Sequence, residues 1–316
     1  MENKETNLID CCIIGGSAAG LSAALILGRC NRKVLVFDDG KYRNYAATKI
    51  HGYLTCDGIS PEDFRKLARK DLEKYDVKII NSHINNIRQE ENYFIVEYEF
   101  YTVKTKTVIL ATGLIDQLPE IPGLKENYGK TVHHCNLCEA IEYRNKNIGV
   151  HGEKGLDFAL VLKDYSDKLT WFADKEPSEE KKQICRDNKI AVIWEKVTRF
   201  SFDQNKLWIW VDPTKISKNH YDINGNLQPV TNYKMDVVFL SLLKGQKQRS
   251  KLAEQLGLNV TKENGIECNE ECESSVPGVF ISGDCSRDHL LSIIAAAEGC
   301  KAAISCSSHI RKVWGK

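Results

Sequence analysis

The chain reads as an α/β protein of two three-layer units, and three observations carry that reading. Between residues 8 and 38 a short apolar strand, a glycine-rich turn, a run of helix formers and a second apolar strand follow one another. From about 118 to 244 a second set of strands has the same character, and Val279 to Ser282 supplies one more strand near the far end. At 316 residues the chain is long enough for two such units, each with its own core.

The first elements are the most specific. Leu8 to Ile14 is apolar apart from Asp10 and stops at Gly15-Gly16-Ser17-Ala18-Ala19-Gly20. Leu21 to Leu27 is helical in composition, and Val34-Leu35-Val36-Phe37 is a strand ending at Asp38. Strand, glycine turn, helix, strand and acid within about 30 residues make the dinucleotide fingerprint of a Rossmann-like unit. Glycines let backbone amides approach a pyrophosphate, which the helix amino terminus then binds. Asp38 falls where a carboxylate accepts hydrogen bonds from a ribose hydroxyl. Ser17 takes the place of the second glycine and is small enough to admit the phosphate. A plain βαβ turn with no cofactor is the alternative, and the acid at the right distance weighs against it.

Farther along, Pro61 to Tyr75 is helical, Val77 to Ile80 and Tyr93 to Tyr98 are strands, and Thr107 to Leu110 is a strand closing with Ala111-Thr112-Gly113. Leu118-Pro119-Glu120-Ile121-Pro122-Gly123 marks a crossing between units. The second unit has strands at Ile148 to Val150, Leu169 to Phe172, Ala191 to Trp194 and Leu207 to Val211. Ser217 to Thr231 is polar and reads as an exposed loop. The last strand delivers Gly283-Asp284, and a helix from His289 to about Cys306 follows, rich in small residues at Ala295, Ala296, Ala297 and Gly299.

Composition narrows the function. Apolar residues at 42% and charged residues at 28% suit a soluble globular chain. Lys plus Arg (44) balances Asp plus Glu (43), so charge favours neither nucleic acid nor an anionic membrane. The polar, acidic start MENKETNLID has no secretory pattern, and no apolar run approaches the ~20 residues that span a bilayer. The twelve cysteines are therefore expected in a reducing cytoplasm, most of them as small buried hydrophobes.

One pair differs. Cys135-Asn136-Leu137-Cys138 is flanked by His133, His134 and Glu139. Two thiols at this spacing close a small, reducible disulfide, and a cysteine opening a turn or helix has its thiolate stabilised. Either histidine is a candidate base, since imidazole titrates near neutrality, or both merely cap the loop. A zinc site joining Cys135 and Cys138 to Cys268 and Cys272 is a rival, with the uneven spacing Cys-x3-Cys in the second pair.

In this order the motifs GGSAAG, ATG at 111–113, Cys-x-x-Cys in the second unit and GD at 283–284 resemble the low-molecular-weight thioredoxin reductase-like flavoproteins over essentially the whole chain. The segments VLVFDDGKYRN, KIHGYLTCDG, ATGLIDQLPEIPG, HHCNLC and GDCSRD are similar to the branch that includes gliotoxin oxidase and pyridine-nucleotide-independent relatives. The resemblance implies an FAD-binding domain at 1–117 and 245–316, interrupted by a nucleotide-binding-like domain at 118–244 that carries the dithiol. It implies FAD lying across Gly15, Gly16, Ser17, Ala18, Ala19 and Gly20, with Asp38 on its adenosine ribose. Asp39, Arg43, Asn44, His51, Ala111, Thr112, Gly113, Gly283 and Asp284 are the other implied cofactor contacts. Cys138 would be the flavin-proximal thiol and Cys135 the partner-facing one, and Glu139 stands where the family has an aspartate. A homodimer is implied as well.

Two departures bear on the electron donor and a third on the flavin. In the second glycine turn, Val150-His151-Gly152-Glu153-Lys154-Gly155-Leu156-Asp157, Lys154 replaces the second glycine and Asp157 the closing alanine. A lysine there obstructs close backbone approach, although its charge is also able to bind phosphate. After the next strand come Ala173-Asp174-Lys175-Glu176-Pro177, acids where a 2′-phosphate wants cations. Leu291 and Ser292 replace the arginine-glutamine pair near the flavin's pyrimidine edge, which should lower the flavin potential. Electrons are thus expected to come from ferredoxin rather than NADPH and to go to a thioredoxin-like protein or a small-molecule disulfide. The alternatives are a dithiol oxidase using oxygen, an NADPH enzyme with a remodelled site, and a non-catalytic flavin redox sensor. Trp314 either folds back on a flavin or packs between subunits.

Overall fold

The computed structural model describes residues 8–212, 231–242, 245–286 and 289–315. Residues 217–230 of the polar segment, and Arg287 and Asp288 of GDCSRD, lie outside this range. The chain divides into two compact units, one comprising Met1–Tyr45, Gly52–Ile115 and Gln246–Lys316, the other Ala46–His51 and Asp116–Gly245. Both are α/β. Among the described residues no helix is long and apolar enough to cross a membrane.

In the first unit the strand Ile9–Ile14 lies between Val34–Phe37 and Tyr101–Leu110, parallel to both, with Val77–Ile80 beyond. Cys11, Cys12 and Ile13 are fully buried, because a parallel strand covered on both faces is apolar throughout. On its other edge Tyr101–Leu110 serves two further neighbours along its length. Its first half pairs antiparallel with Phe94–Tyr98, and its last residues pair in parallel with Val279–Ile281. Only the second half is buried, which is why an apolar run signals the strand from Thr107 alone. The register Val279↔Val108 and Ile281↔Leu110 brings the segments that end in ATG and GD side by side.

The helices Ala18–Arg29 and Ser292–Trp314 cross almost in backbone contact: a Cβ added at Gly299 would lie 2.1 Å from the Ala19 carbonyl oxygen. The second helix runs eight residues past Cys306 and stops at Gly315, whose φ of 68° is left-handed. Tertiary contacts carry it through the weak helix formers Ser305 to Ser308. Arg32 donates to the Ser307 hydroxyl (3.2 Å) and carbonyl (3.3 Å), and Cys306 lies 3.1 Å from the Thr107 hydroxyl. Trp314 packs within its own unit, its ring 5.5 Å from Lys106 Nζ, which pairs with Asp10 at 2.6 Å. Burial pushes the Cys12 thiol up to about 12 and Cys285 to about 11, so both are inert packing groups.

The helix Pro61–Leu72 begins as its sequence dictates. Ser60 Oγ accepts from the Asp63 amide (3.0 Å), Pro61 sets the first turn, and Glu62 and Asp63 oppose the helix dipole.

The second unit is a five-stranded parallel sheet in the order Ala191–Ile193, Leu169–Phe172, Ile148–His151, Val237–Leu240, Val132–His133. A three-stranded antiparallel sheet of Val197–Asp203, Lys206–Val211 and Asn232–Met235 accompanies it. The segment Ala46–His51 belongs to this unit, with Ala46 against Gly129 and Ile50 buried.

The helix crossing is testable. Gly299→Ala forces a methyl onto the Ala19 carbonyl, and overpacking of this kind costs about 1–3 kcal/mol. A lowered thermal midpoint is expected, with Ala297→Ser on the exposed side of the same turn as a near-neutral control. Equal midpoints for the two variants would contradict the close crossing.

Candidate functional site

The first unit holds a cradle at the carboxyl end of its central strand. Gly15 has φ of 118°, and a Cβ there would sit 2.1 Å from the Ala111 carbonyl oxygen, so the strand can turn only as glycine. A Cβ on Gly16 would lie 2.2 Å from an Asp38 oxygen. Ser17 caps the helix Ala18–Arg29 by position, without a side-chain hydrogen bond, and no acid sits in the first turn. First-turn amides have no partner within their helix, which leaves this end suited to an anion.

Asp38 is 3% exposed and already well partnered. Its Oδ1 accepts from the Gly40 amide (3.0 Å), and its Oδ2 accepts from the Tyr42 hydroxyl (2.7 Å) and from Arg69. A carboxylate has about four acceptor sites, so one on Oδ1 is left for a ribose hydroxyl. Beside it opens a cavity of about 520 Å³ lined by Asp38, Asp39, Tyr42, Asn81, His83 and Glu99. Asp39 is 3.1 Å from His83 Nδ1. Asn44 Oδ1 is buried and lacks a hydrogen-bond partner, as expected of a group awaiting a ligand's donor. The cradle therefore fits a dinucleotide.

Across from this, Ala111, Thr112 and Gly113 end the strand Tyr101–Leu110, and Gly113 turns with φ of 67°. Asp284 pairs with Arg43 at 3.2 Å, tying the loop after the second strand to the GD turn. Glu298 holds that turn, accepting from the Gly283 amide (2.7 Å) and the Ser286 hydroxyl (3.1 Å). Tyr42, Arg69 and Glu298 were not foreseen from the sequence. Glu298 left a faint signal, as the lone acid in the small-residue run AAAEG. Leu291 is the amino-terminal flank of the helix that begins at Ser292.

In the second unit Cys135 and Cys138 form a disulfide, with Cα atoms 5.3 Å apart. Cys135 is the N-cap of the short helix Asn136–Glu139, and its Sγ accepts from the Cys138 amide at 3.2 Å. With both sulfurs so bonded, the zinc reading loses two of its four ligands. Among the described residues no group of three or more His, Cys, Asp or Glu side chains is placed to hold a metal.

The two histidines part company at the end of the strand Val132–His133, where His133 is still buried in the sheet and His134 already lies in the bend that follows. His133 points inward, with Nε2 3.0 Å from the Lys130 carbonyl, and burial drives its pKa down to about 4. It fastens the loop and stays neutral. His134 Nδ1 lies 2.7 Å from the Tyr128 hydroxyl, which donates to Asp116 Oδ2 at 3.2 Å. Burial raises the Glu139 carboxyl above the usual carboxylate range, with Glu142 adding to the rise and His51 and Lys49 opposing it. His51 Nε2 is 3.9 Å from Glu142, so this histidine stands among the acids of the dithiol loop.

The second glycine turn is engaged with its own surroundings. Gly152 has φ of 122°, and its carbonyl accepts from the Trp171 indole at 2.9 Å. Lys154 opens the helix Gly155–Leu162 without capping it. Glu153 pairs with Lys175 at 2.5 Å. Asp174 accepts from His151 Nε2 (2.7 Å) and the Val197 amide (2.8 Å). Burial alone would raise the Asp174 carboxyl, but these bonds, the His151 one foremost, hold it below its ordinary value.

A family model described as pyridine nucleotide-disulphide oxidoreductase matches residues 9–300. A probable thioredoxin reductase of Arthroderma benhamiae is 30% identical over 303 residues, covering 88% of this chain and 74% of that protein. The thioredoxin reductase sirT of Leptosphaeria maculans is 26% identical, with coverages of 89% and 88%. Among solved structures, HlmI superposes with a TM-score of 0.87 at 26% identity, covering 98% of this chain and 94% of its own. On these matches the chain belongs to the pyridine nucleotide-disulphide oxidoreductase family, among its FAD-binding, thioredoxin reductase-like flavoproteins, and is an oxidoreductase acting on sulfur groups.

Proposed function

We propose that this flavoprotein is a thiol–disulfide oxidoreductase in which electrons move between FAD and the Cys135–Cys138 pair, and on to a disulfide of a thioredoxin-like protein or small molecule. The observation that carries the reading is the disulfide itself, closed at the first turn of a short helix, where an amide already faces Cys135 Sγ. Gly15 to Gly20, Asp38, Asn44, Arg43, Gly113 and Asp284 would hold the cofactor. Bound FAD supplies a two-electron couple matched to a dithiol.

The thiol steps belong to the chain. From the reduced pair, a Cys135 thiolate attacks the partner disulfide, forming a mixed disulfide and releasing one partner thiolate. Cys138 then gives its proton to Glu139 and attacks Cys135 Sγ, re-forming the internal disulfide and expelling the second thiolate. His134 takes the proton of the attacking thiol, since His133 is buried, neutral and committed to the Lys130 carbonyl. Glu139, half-buried and raised, returns a proton to a leaving thiolate.

A donor such as ferredoxin replaces NADPH in this reading. Lys175, the first cation after the second strand of the inserted sheet, is paired with Glu153, and Asp174 precedes it. Both features disfavour a 2′-phosphate. The setting is a reducing cytoplasm, where the remaining cysteines persist as thiols, and the assembly a homodimer.

Anaerobic mixing of the yellow protein with NADPH, NADH, reduced ferredoxin or a small dithiol, followed by flavin absorbance, tests the donor. Bleaching by ferredoxin and not by NADPH is expected. Rapid bleaching by NADPH would overturn the donor assignment, and bleaching by a dithiol with recovery in air would replace it with an oxidase.

Glu139 gives a signed pH effect. A carboxyl with a raised folded pKa binds its proton more tightly when folded, so its contribution is lost as pH rises through that value. Glu139→Gln should therefore be at least as stable as wild type at neutral pH, with the difference fading below about pH 4. Its disulfide turnover should fall about 100-fold. A variant that is less stable at neutral pH, or fully active, would contradict this role.

A further inference from the structure

Resting on the base role given to His134 above, we propose that Asp116 and Tyr128 are positioning residues that fix His134 as its Nδ1–H tautomer, making Nε2 the nitrogen that accepts the Cys135 proton. The chain of contacts runs Asp116 Oδ2, Tyr128 hydroxyl, His134 Nδ1, at 3.2 and 2.7 Å. A phenol has one proton to give. Given to the Asp116 carboxylate, which only accepts when ionised, it leaves the phenol oxygen to accept, and the proton between Tyr128 and His134 must then reside on Nδ1. In the neutral ring the lone pair is thereby assigned to Nε2.

The arrangement is held rigidly. Tyr128 is 6% exposed and lies in the core cluster of its unit with Leu124 and Val132. Its ring stacks on His134, with centroids 5.7 Å apart and planes 16° apart. The parallel bridge between Tyr128 and Val132 fixes the backbone two residues before the imidazole. A buried hydroxyl with both its roles filled indicates a built contact, because an unpaired phenol in that core would be costly. His134 is covalently next to Cys135, so the orientation of its ring is set at the amino-terminal flank of the disulfide.

In the step served, the Cys135 S–H bond breaks and an Nε2–H bond forms, giving thiolate and imidazolium. The thiolate then displaces iodide from iodoacetamide, the probe used to read it. The flavin-loaded protein, reduced with dithiothreitol and freed of reagent anaerobically, is alkylated at pH 7 and Cys135 modification is followed by mass spectrometry. His134→Gln should slow alkylation about 100-fold and Tyr128→Phe about tenfold. The double variant should be no slower than His134→Gln alone. Histidine ¹⁵N spectra should show His134 protonated at Nδ1 in the wild type, and a loss of that preference in Tyr128→Phe. The proposal is overturned if Tyr128→Phe reacts at the wild-type rate, if it slows the His134→Gln background by the same factor, or if His134 carries its proton on Nε2. His134→Gln reacting at the wild-type rate would instead remove the base role on which the proposal rests, and the proposal with it.

Discussion

The first unit depends on backbone meeting backbone around one turn. Gly15 abuts the Ala111 carbonyl and Gly299 the Ala19 carbonyl, and Gly16 beside them abuts the Asp38 side chain, each at a distance that a Cβ would not allow. These contacts draw the central strand, the strand ending in ATG and the long final helix onto a single point. The result is a helix amino terminus without a capping side chain, facing a buried acid held by Tyr42 and Arg69. A pyrophosphate group is what such an end binds best.

The inserted unit repeats the geometry with different chemistry. Gly152 has nearly the same φ as Gly15, and a helix follows each turn. In the second, however, the turn's polar groups are spent on the protein. Its carbonyl takes the Trp171 indole, its glutamate takes Lys175, and the acid after the next strand takes His151 and an amide. Similar backbones thus carry different side-chain partners around the two turns. The dithiol loop sits on the same inserted unit, and there too the two histidines have different partners, His133 the Lys130 carbonyl and His134 the Tyr128 hydroxyl.

How much the sequence disclosed follows from how local each determinant is. The strand Ile9–Ile14, its turn, Asp38 and the strand Val34–Phe37 are short-range patterns and read directly. The dithiol was legible for the same reason. The strand Val132–His133 is only two residues long and exists through pairing with Val237–Leu240, so no periodicity announces it. The helix beyond Cys306 is upheld by Arg32, 275 residues away in sequence. Tyr42, Arg69 and Glu298 support the cofactor cradle through contacts made only in three dimensions, as Asp116 and Tyr128 do for His134. The placement of His51 beside Glu142, apart from the first unit, likewise has no local signature.

The central claim is that the Cys135–Cys138 pair shares electrons with the flavin, and electron counting tests it directly. FAD takes up two electrons and a disulfide two. Anaerobic titration with dithionite should therefore consume about four electrons per chain before the flavin is fully bleached, and about two in Cys138→Ser with its yellow colour retained. Uptake of only two electrons by the wild type, or of four by the variant, would contradict it.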